Sequence, residues 1–530
     1  MTSKFRDESA DQWQSGGGIN SRASEDSIDP LECTQGENFL LDPGNAEFRP
    51  RQPIELLGTV PNGAEIRGFA TLLKTDGTVT MLVQAEDRVY SWDGASFSFV
   101  GSVDATARLR GRKDAIWNLA DKVLIADLNL AEEVHEWDGS TFSKASFLDS
   151  DGSTPFTTFR AKYISVDNER ALYGNIYDGT ANFPHLLVSS KRGNYQIVSV
   201  GDRPSSSLGD DAPWFLPMPQ LKAINGMAES FGVLAFSQEA GDFEKLDGST
   251  SKDYNLKKLH SQSGASGDES VVSITNDILF GAPGRVESLQ ATDKAGDVET
   301  DDISFKIAPS IKTYKTWSLV YNQRLKRVYC FPDSEAEVWV CHIDFIGSQL
   351  SPWSKYTTQH AFNFQKTAAM SCFDPVDGLE YVYMGDASGK LYRMEGSTYD
   401  GDAGSASVKA RRKSKMYVAP LNSEAFNING FFEHRNQLSN SVSLSVEFSG
   451  NSINTVRKDI DFSEVQFDTP YGGSVYYAGN FYYGVAKENR LVRKKFGIPG
   501  KANQWQIEAK IEGTNDFAVT KVGFRYDFEE

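Results

Sequence analysis

Long apolar runs are the first thing missing from this 530-residue chain. No stretch approaches the ~20 apolar residues of a membrane-spanning helix, and the longest, such as Val123 to Ala126, are strand-sized. No membrane span is expected. An apolar segment is also missing behind Lys4, Arg6, Asp7, Glu8 and Asp11, so no secretory signal is expected and the chain should fold where it is made. Cysteine is sparse. The four residues at 33, 330, 341 and 372 show no CxxC spacing, and His342 beside Cys341 has no second ligand pair at zinc-site distance. Buried thiols in a reducing compartment are expected, with no disulfide, metal or cofactor. The six histidines, at 135, 185, 260, 342, 360 and 434, are never within four residues of one another. G-x-S-x-G, H-E-x-x-H and P-loop patterns are absent, which removes the common hydrolase, metalloprotease and nucleotide signatures. The segment AspSerAspGlySer at 149–153 opens like a calcium loop but lacks the later carboxylates, so it reads as a polar turn. Capped, periodic helical runs are nearly absent as well, which points to an all-β chain.

A basic excess is lacking too. The formal net charge is −18, and from Ser405 onward 17 Lys and Arg face 14 Asp and Glu, leaving about −21 on the residues before it. Adhesive binding of nucleic acid needs a basic footprint, so DNA meeting this protein should slide past it.

What the chain does have is an internal repeat. Four segments show it openly: ArgValTyrSerTrpAspGlyAlaSerPhe at 88–97, GluValHisGluTrpAspGlySerThrPhe at 133–142, AspPheGluLysLeuAspGlySerThr at 242–250 and LysLeuTyrArgMetGluGlySerThrTyr at 390–399. Each is an alternating strand running into a tight turn, where Gly supplies a positive φ and Asp can accept bonds from the backbone beyond it. Asp93, Gly94, Asp138, Gly139, Asp247 and Gly248 are therefore expected to be structural turn residues. A shorter apolar strand precedes each copy, and its starts at 81, 123, 171, 233, 278, 328 and 381 are spaced by 42 to 62 residues. A period of about 40–50 residues is that of a four-stranded propeller blade. The expected fold is all-β: a six- or seven-bladed β-propeller over 51–404, with the apolar strand of each blade innermost. A stack of β-sandwich domains is the competing reading, and a recurring Trp-Asp-Gly phrase fits it poorly.

Before the repeats, residues 1–50 are polar and carry GlyGlyGly at 16–18, which reads as an extended N-terminal arm that gains order on a neighbour. Deleting 1–36 should then leave a folded domain and weaken assembly. After the repeats, cleanly alternating strands over 405–530 suggest a C-terminal antiparallel β-sandwich-like domain. Its basic clusters, Arg411, Arg412 and Lys413, then Arg493, Lys494 and Lys495, are candidate inter-subunit contacts with an acidic neighbour. No catalytic residue is assigned. A propeller glycan-cleaving enzyme, whose carboxylates would be assembled from distant blades, and a monomeric protein-interaction propeller stand as alternatives.

Three stretches bear a resemblance. GlyGlyGlyIleAsn at 16–20 with GluAsnPheLeuLeuAspProGlyAsnAlaGluPheArgProArg at 37–51, the TrpAspGly hairpins with SerProTrpSerLysTyr at 351–356, and LeuValArgLysLysPheGlyIleProGlyLysAlaAsnGlnTrpGlnIle at 491–507 resemble the propeller-containing tail nozzle, or packaged-DNA stabilisation, proteins of short-tailed bacteriophages. The resemblance implies a structural virion protein and no enzyme. It implies a homo-hexameric tube below the portal and its adaptor ring, near tail fibre, spike or needle proteins, assembled in the bacterial cytoplasm. Genomic DNA would be retained by it and then pass through its lumen without sequence-specific binding.

Overall fold

The computed structural model describes residues 8–13, 16–41, 48–111, 116–117, 121–218, 221–229, 233–236, 242–260, 264–275, 277–291, 298–333, 335–395, 402–404, 408–418, 424–436, 443–450, 453–461, 491–498, 504–512 and 517–529. Short strands joined by Gly, Asp and Asn turns build seven antiparallel blades around one axis, the first two joined edge to edge into one sheet. Blade 1 runs through Ile66–Leu73, Val79–Ala85, Arg88–Trp92 and Phe97–Ser102. Blade 2 follows with the short innermost strands Leu109–Gly111 and Ile116–Trp117, then Lys122–Asp127, His135–Trp137 and Phe142–Lys144; Arg110 and Gly111 pair in parallel with Phe69 and Ala70 of blade 1. The innermost strands of blades 3 to 7 are Arg160–Asp167, Gly226–Glu229, Val271–Ile274, Trp317–Asn322 and Ala368–Phe373.

Closure is made by the chain's beginning. Glu55–Thr59 pairs with Lys390–Arg393 as the outermost strand of blade 7, so a sheet shared by early and late residues seals the ring. Seven separate apolar clusters lie at the seven seams between blades, for example Trp92, Tyr381 and Tyr383 between blades 7 and 1 and Phe243, Ile278 and Phe280 between blades 4 and 5. Each fully buried side chain of this size contributes roughly 1.5–3 kcal/mol. Both faces of every blade are therefore covered, so strands such as Asp277–Ala282 and Glu380–Gly385 are buried at every position.

The apolar strand that marks each repeat is the second of its blade, where the sequence pattern placed it innermost. The reason is geometric. A second strand is flanked in its own sheet and packed on both faces, whereas the innermost strand borders the axial channel and carries polar groups there, including Arg110, Lys162, Ser318 and Ser371.

Residues beyond 408 form two antiparallel sheets. Lys409–Val418, Gln504–Glu512, Ser443–Gly450 and Ile453–Asp461 make one, and Phe517–Glu529, Glu424–Asn436 and Leu491–Ile498 the other. The N-terminal arm adds an edge strand to each, Gln35–Glu37 against Lys409–Val418 and Glu8–Trp13 against Phe517–Glu529. It also buries Ile19, Cys33, Phe39, Leu41 and Phe48 in a cluster shared with blades 5 and 6 and with Ala410, Tyr417, Ala509 and Ile511. The arm thus corrects the expectation drawn from its polarity: over 16–41 it is ordered within its own chain, because Ile19, Cys33, Phe39 and Leu41, spaced among polar residues, enter one seam.

Candidate functional site

Two polar constructions stand out, one on the axis and one in the seam beneath the arm. On the axis, Glu269 sits just ahead of the innermost strand of blade 5. Its carboxylate accepts from Arg108 Nη2 at 2.8 Å, from Ser318 Oγ of blade 6 at 3.1 Å and from Arg110 Nη1. Arg108 and Arg110 come from blade 2 and also reach the carbonyls of Thr367 and Ala369 beside and on blade 7. Next to it, Asp268 accepts from Lys162 Nζ at 2.8 Å and Tyr163 OH at 2.9 Å on blade 3. An ion-paired bar therefore crosses the channel and ties together blades on opposite sides of the ring.

Burial alone would push the Glu269 carboxyl up, but Arg110, Arg108 and Lys366 more than offset this and hold it at about 2. On one side of the bar lies a cavity of about 110 Å³ bordered by Tyr163, Met227, Tyr321 and Met370, and on the other a polar mouth of about 280 Å³ bordered by Arg108, Asn225, Asp333 and Lys366. Ordinary ligand pockets run roughly 300–1,000 Å³. A glycan-cleaving pair needs one carboxyl kept protonated near neutrality, and Glu269 is shifted the opposite way.

In the seam, Arg51 and Asp402 form a bidentate pair at 2.8 and 2.5 Å, each with 1% of its side chain exposed. Arg51 also donates to Asn38 Oδ1 at 2.9 Å and to the Thr357 carbonyl at 3.0 Å, while Asp402 accepts from Ile54 N at 2.9 Å. The pair clasps the point where the chain enters the ring to the point where it leaves. Further along, buried Glu32 accepts from Asn20 Nδ2 at 2.7 Å, Lys306 Nζ at 2.5 Å and Ser351 N at 2.7 Å. Gly18 runs so close to blade 6 that a Cβ there would lie 2.1 Å from the Trp353 carbonyl oxygen. No other residue type fits that approach.

The turn residues occupy hairpins between third and fourth strands. Gly94, Gly139 and Gly248 have φ of +99°, +91° and +132°. Asp93 Oδ1 accepts from Ala95 N and Ser96 N at 2.8 and 2.7 Å, and Asp138 Oδ1 from Ser140 N and Thr141 N at 2.8 and 2.7 Å. In the third turn it is Asp253, and not Asp247, whose carboxylate accepts from Thr250 N at 2.7 Å. Asp151 caps the polar turn at 149–153 through Ser153 N and Thr154 N. All four cysteines are buried free thiols.

The first basic cluster is turned to internal use. Arg412 is fully buried, donates to the carbonyls of Gly17 and Leu31 and lies 5.5 Å from the Phe39 ring centroid, and Arg411 pairs with Glu508 of its own sheet. Arg412 is thereby removed from the residues expected to meet a neighbouring subunit. Lys413 lends its carbonyl to Thr34 N. The side chains of Arg493, Lys494 and Lys495 lie outside the described residues; their backbone pairs with Glu433, Phe432 and Phe431.

The axial and seam residues were missed by motif reasoning because charges on distant blades form no local pattern. One signal was present: ArgLeuArg at 108–110 puts two cations on the same face of a strand, which a buried innermost strand tolerates only with a counter-charge.

No family model matches the chain, and no curated protein matches it. Among solved structures it is similar to the WD40 domain of Toxoplasma gondii coronin, at 8% identity and a TM-score of 0.38 over 68% of this chain and 87% of that one. It is also similar to the Myceliophteria thermophila Cps50 (Swd1) β-propeller domain, at 10% identity and a TM-score of 0.37 over 64% and 99%. A third is the BBS1N chain solved in complex with ARL6DN, at 10% identity and a TM-score of 0.40 over 66% and 98%. The likeness is one of fold. The propeller assignment rests on the closed ring of seven blades, and nothing about activity follows from these neighbours.

Proposed function

We propose that this propeller is a non-catalytic building block of a virion: a tail nozzle component, hexameric, placed below the portal and its adaptor ring, that retains packaged DNA and conducts it on ejection. The observation that carries the reading is a convergence. Part of the sequence that bears the resemblance, 16–20, the described residues of 37–51 and 351–356, meets beside the outer strand of blade 6, while the TrpAspGly hairpins close the third strands of blades 1 and 2 and take no part in it. Gly18 N and Ile19 N donate to the carbonyls of Ser351 and Trp353, Asn38 N donates to Lys355, and Arg51 reaches Thr357. Motifs far apart in sequence thus serve one joint, as expected when a family pattern records a shared architecture.

Two physical points support it further. The bar at Glu269 leaves no room for a duplex along a blade axis, so DNA would run between subunits, and the acidic chain would repel its phosphates. Light scattering on the purified protein and electron microscopy of particles test the proposal. A ring of hexameric mass at a particle vertex is the expected result, and a stable monomer absent from particles rejects it in favour of a free interaction propeller, a second reading favoured by the open strand edge described next.

A further inference from the structure

The outer strand of every blade offers a row of backbone N–H and C=O groups, which proteins blunt with charge or cover. Six blades do so. Lys144 ends the outer strand of blade 2 and pairs with Glu132 and Glu133. The Asn194–Val198 strand of blade 3 is bridged by Leu148. Blade 4 carries Lys257 and Lys258 on Asn255–His260, and blade 5 carries Glu299, Asp301 and Asp302 on Val298–Asp302. Trp353–Thr357 of blade 6 lies under the arm, and Glu55 of the closing strand of blade 7 pairs with Arg393. Blade 1 alone does neither. Its outer strand, PheSerPheValGlySer at 97–102, holds no charge and no proline, and among the described residues it pairs only with Arg88–Trp92.

Apolar surface accompanies the open edge. Phe99 is 59% exposed on this strand, and Val376, 75% exposed, lies against Gly94 in the turn that leads into it. Around the strand's ends stand the exposed carboxylates Asp87, Asp93 and Asp104, which outnumber the one exposed cation beside them, Arg88 opposite Ser102.

We propose that this edge is a docking site for an extended segment of another protein, which adds as a fifth strand to blade 1. The segment would alternate apolar residues, to meet Phe99, and carry Lys or Arg at its ends, to meet the three carboxylates. A second copy of this chain is the poorer occupant: six residues of edge fall far short of the ~1,200–2,000 Å² that a stable dimer buries, and two copies would each bring a charge of −18. Strand addition is already the mode of the arm, which extends two sheets of its own chain. The inference does not depend on the virion reading.

The test uses the full chain and a fluorescein-labelled peptide that alternates valine and threonine between lysine pairs. Fluorescence anisotropy is expected to show saturable binding, weakened about tenfold by Phe99→Lys. Replacing the central valine of the peptide with proline should abolish it with the protein untouched, because the ladder loses a donor. Absence of binding to the wild-type chain overturns the proposal, as does equal binding by the Phe99→Lys protein or the proline peptide. Dimerisation in the ultracentrifuge that Phe99→Lys removes would also overturn it, assigning the edge to a second copy.

Discussion

Gly94 and Gly139 carry a double constraint. Both have positive φ, and a Cβ would sit 2.2 Å from Val376 Cγ2 at the first and 2.7 Å from Lys74 Cε at the second. Gly94→Val should cost about 1–3 kcal/mol from backbone strain alone, read as a lower thermal midpoint, and Gly139→Val the same or less because a lysine tip can move aside. Acid offers a second probe. Burial, then the nearby Arg327, pushes the His342 imidazole well below 6.5, and burial likewise lowers His135, which stacks on Phe142 at 4.6 Å. Folded histidines that refuse a proton favour the native state above pH 6.5, and that advantage is lost as the pH falls below it while the unfolded chain protonates. Stability measured in urea should therefore drop by up to about 1.4 kcal/mol per pH unit on account of His342, with a smaller fall in the same direction from His135, and His342→Gln should flatten the profile. Glu269 acts lower down. Its carboxyl at about 2, against 4.5 when free, stabilises the fold above pH 4.5, and the gain fades between 4.5 and 2.

Among the elements, the arm and the ring closure were read with unequal success from the amino acids. Alternation ending in an Asp-Gly or Glu-Gly turn marked the third strand openly in blades 1, 2, 4 and 7 and only weakly in the others, because a buried strand ended by a tight turn leaves a local mark where that turn is kept. The innermost strands left none: their burial is set by neighbours more than forty residues away, and ArgLeuArg at 108–110 is intelligible only beside Glu269. The arm misled by composition, since Ile19, Cys33 and Phe39 are few but all buried. Deleting 1–36 is therefore expected to remove Ile19, Cys33 and the Glu32 contacts from the seam and give a protein that melts earlier, contrary to its polar appearance; wild-type melting of the truncated chain would refute the packing. Within the seam, Arg51→Met should cost about 3–5 kcal/mol by stranding Asp402, and a paired Arg51→Met, Asp402→Leu variant should recover much of it.

For the molecule as a whole, charge decides its dealings with DNA. With a formal charge of −18 and its buried cations committed to internal carboxylates and carbonyls, the protein should not retard duplex DNA in a gel even at low salt; a retarded band that fades with added salt would contradict this. The ring closure has a consequence in time. Glu55–Thr59 emerges early from the ribosome, yet its partner strand Lys390–Arg393 is among the last pieces of the propeller to be made. At roughly 5–20 residues per second, tens of seconds pass while the blades accumulate one by one as an open arc with an unsealed flank. A chain built this way depends on whatever shelters that flank until synthesis catches up with its own beginning.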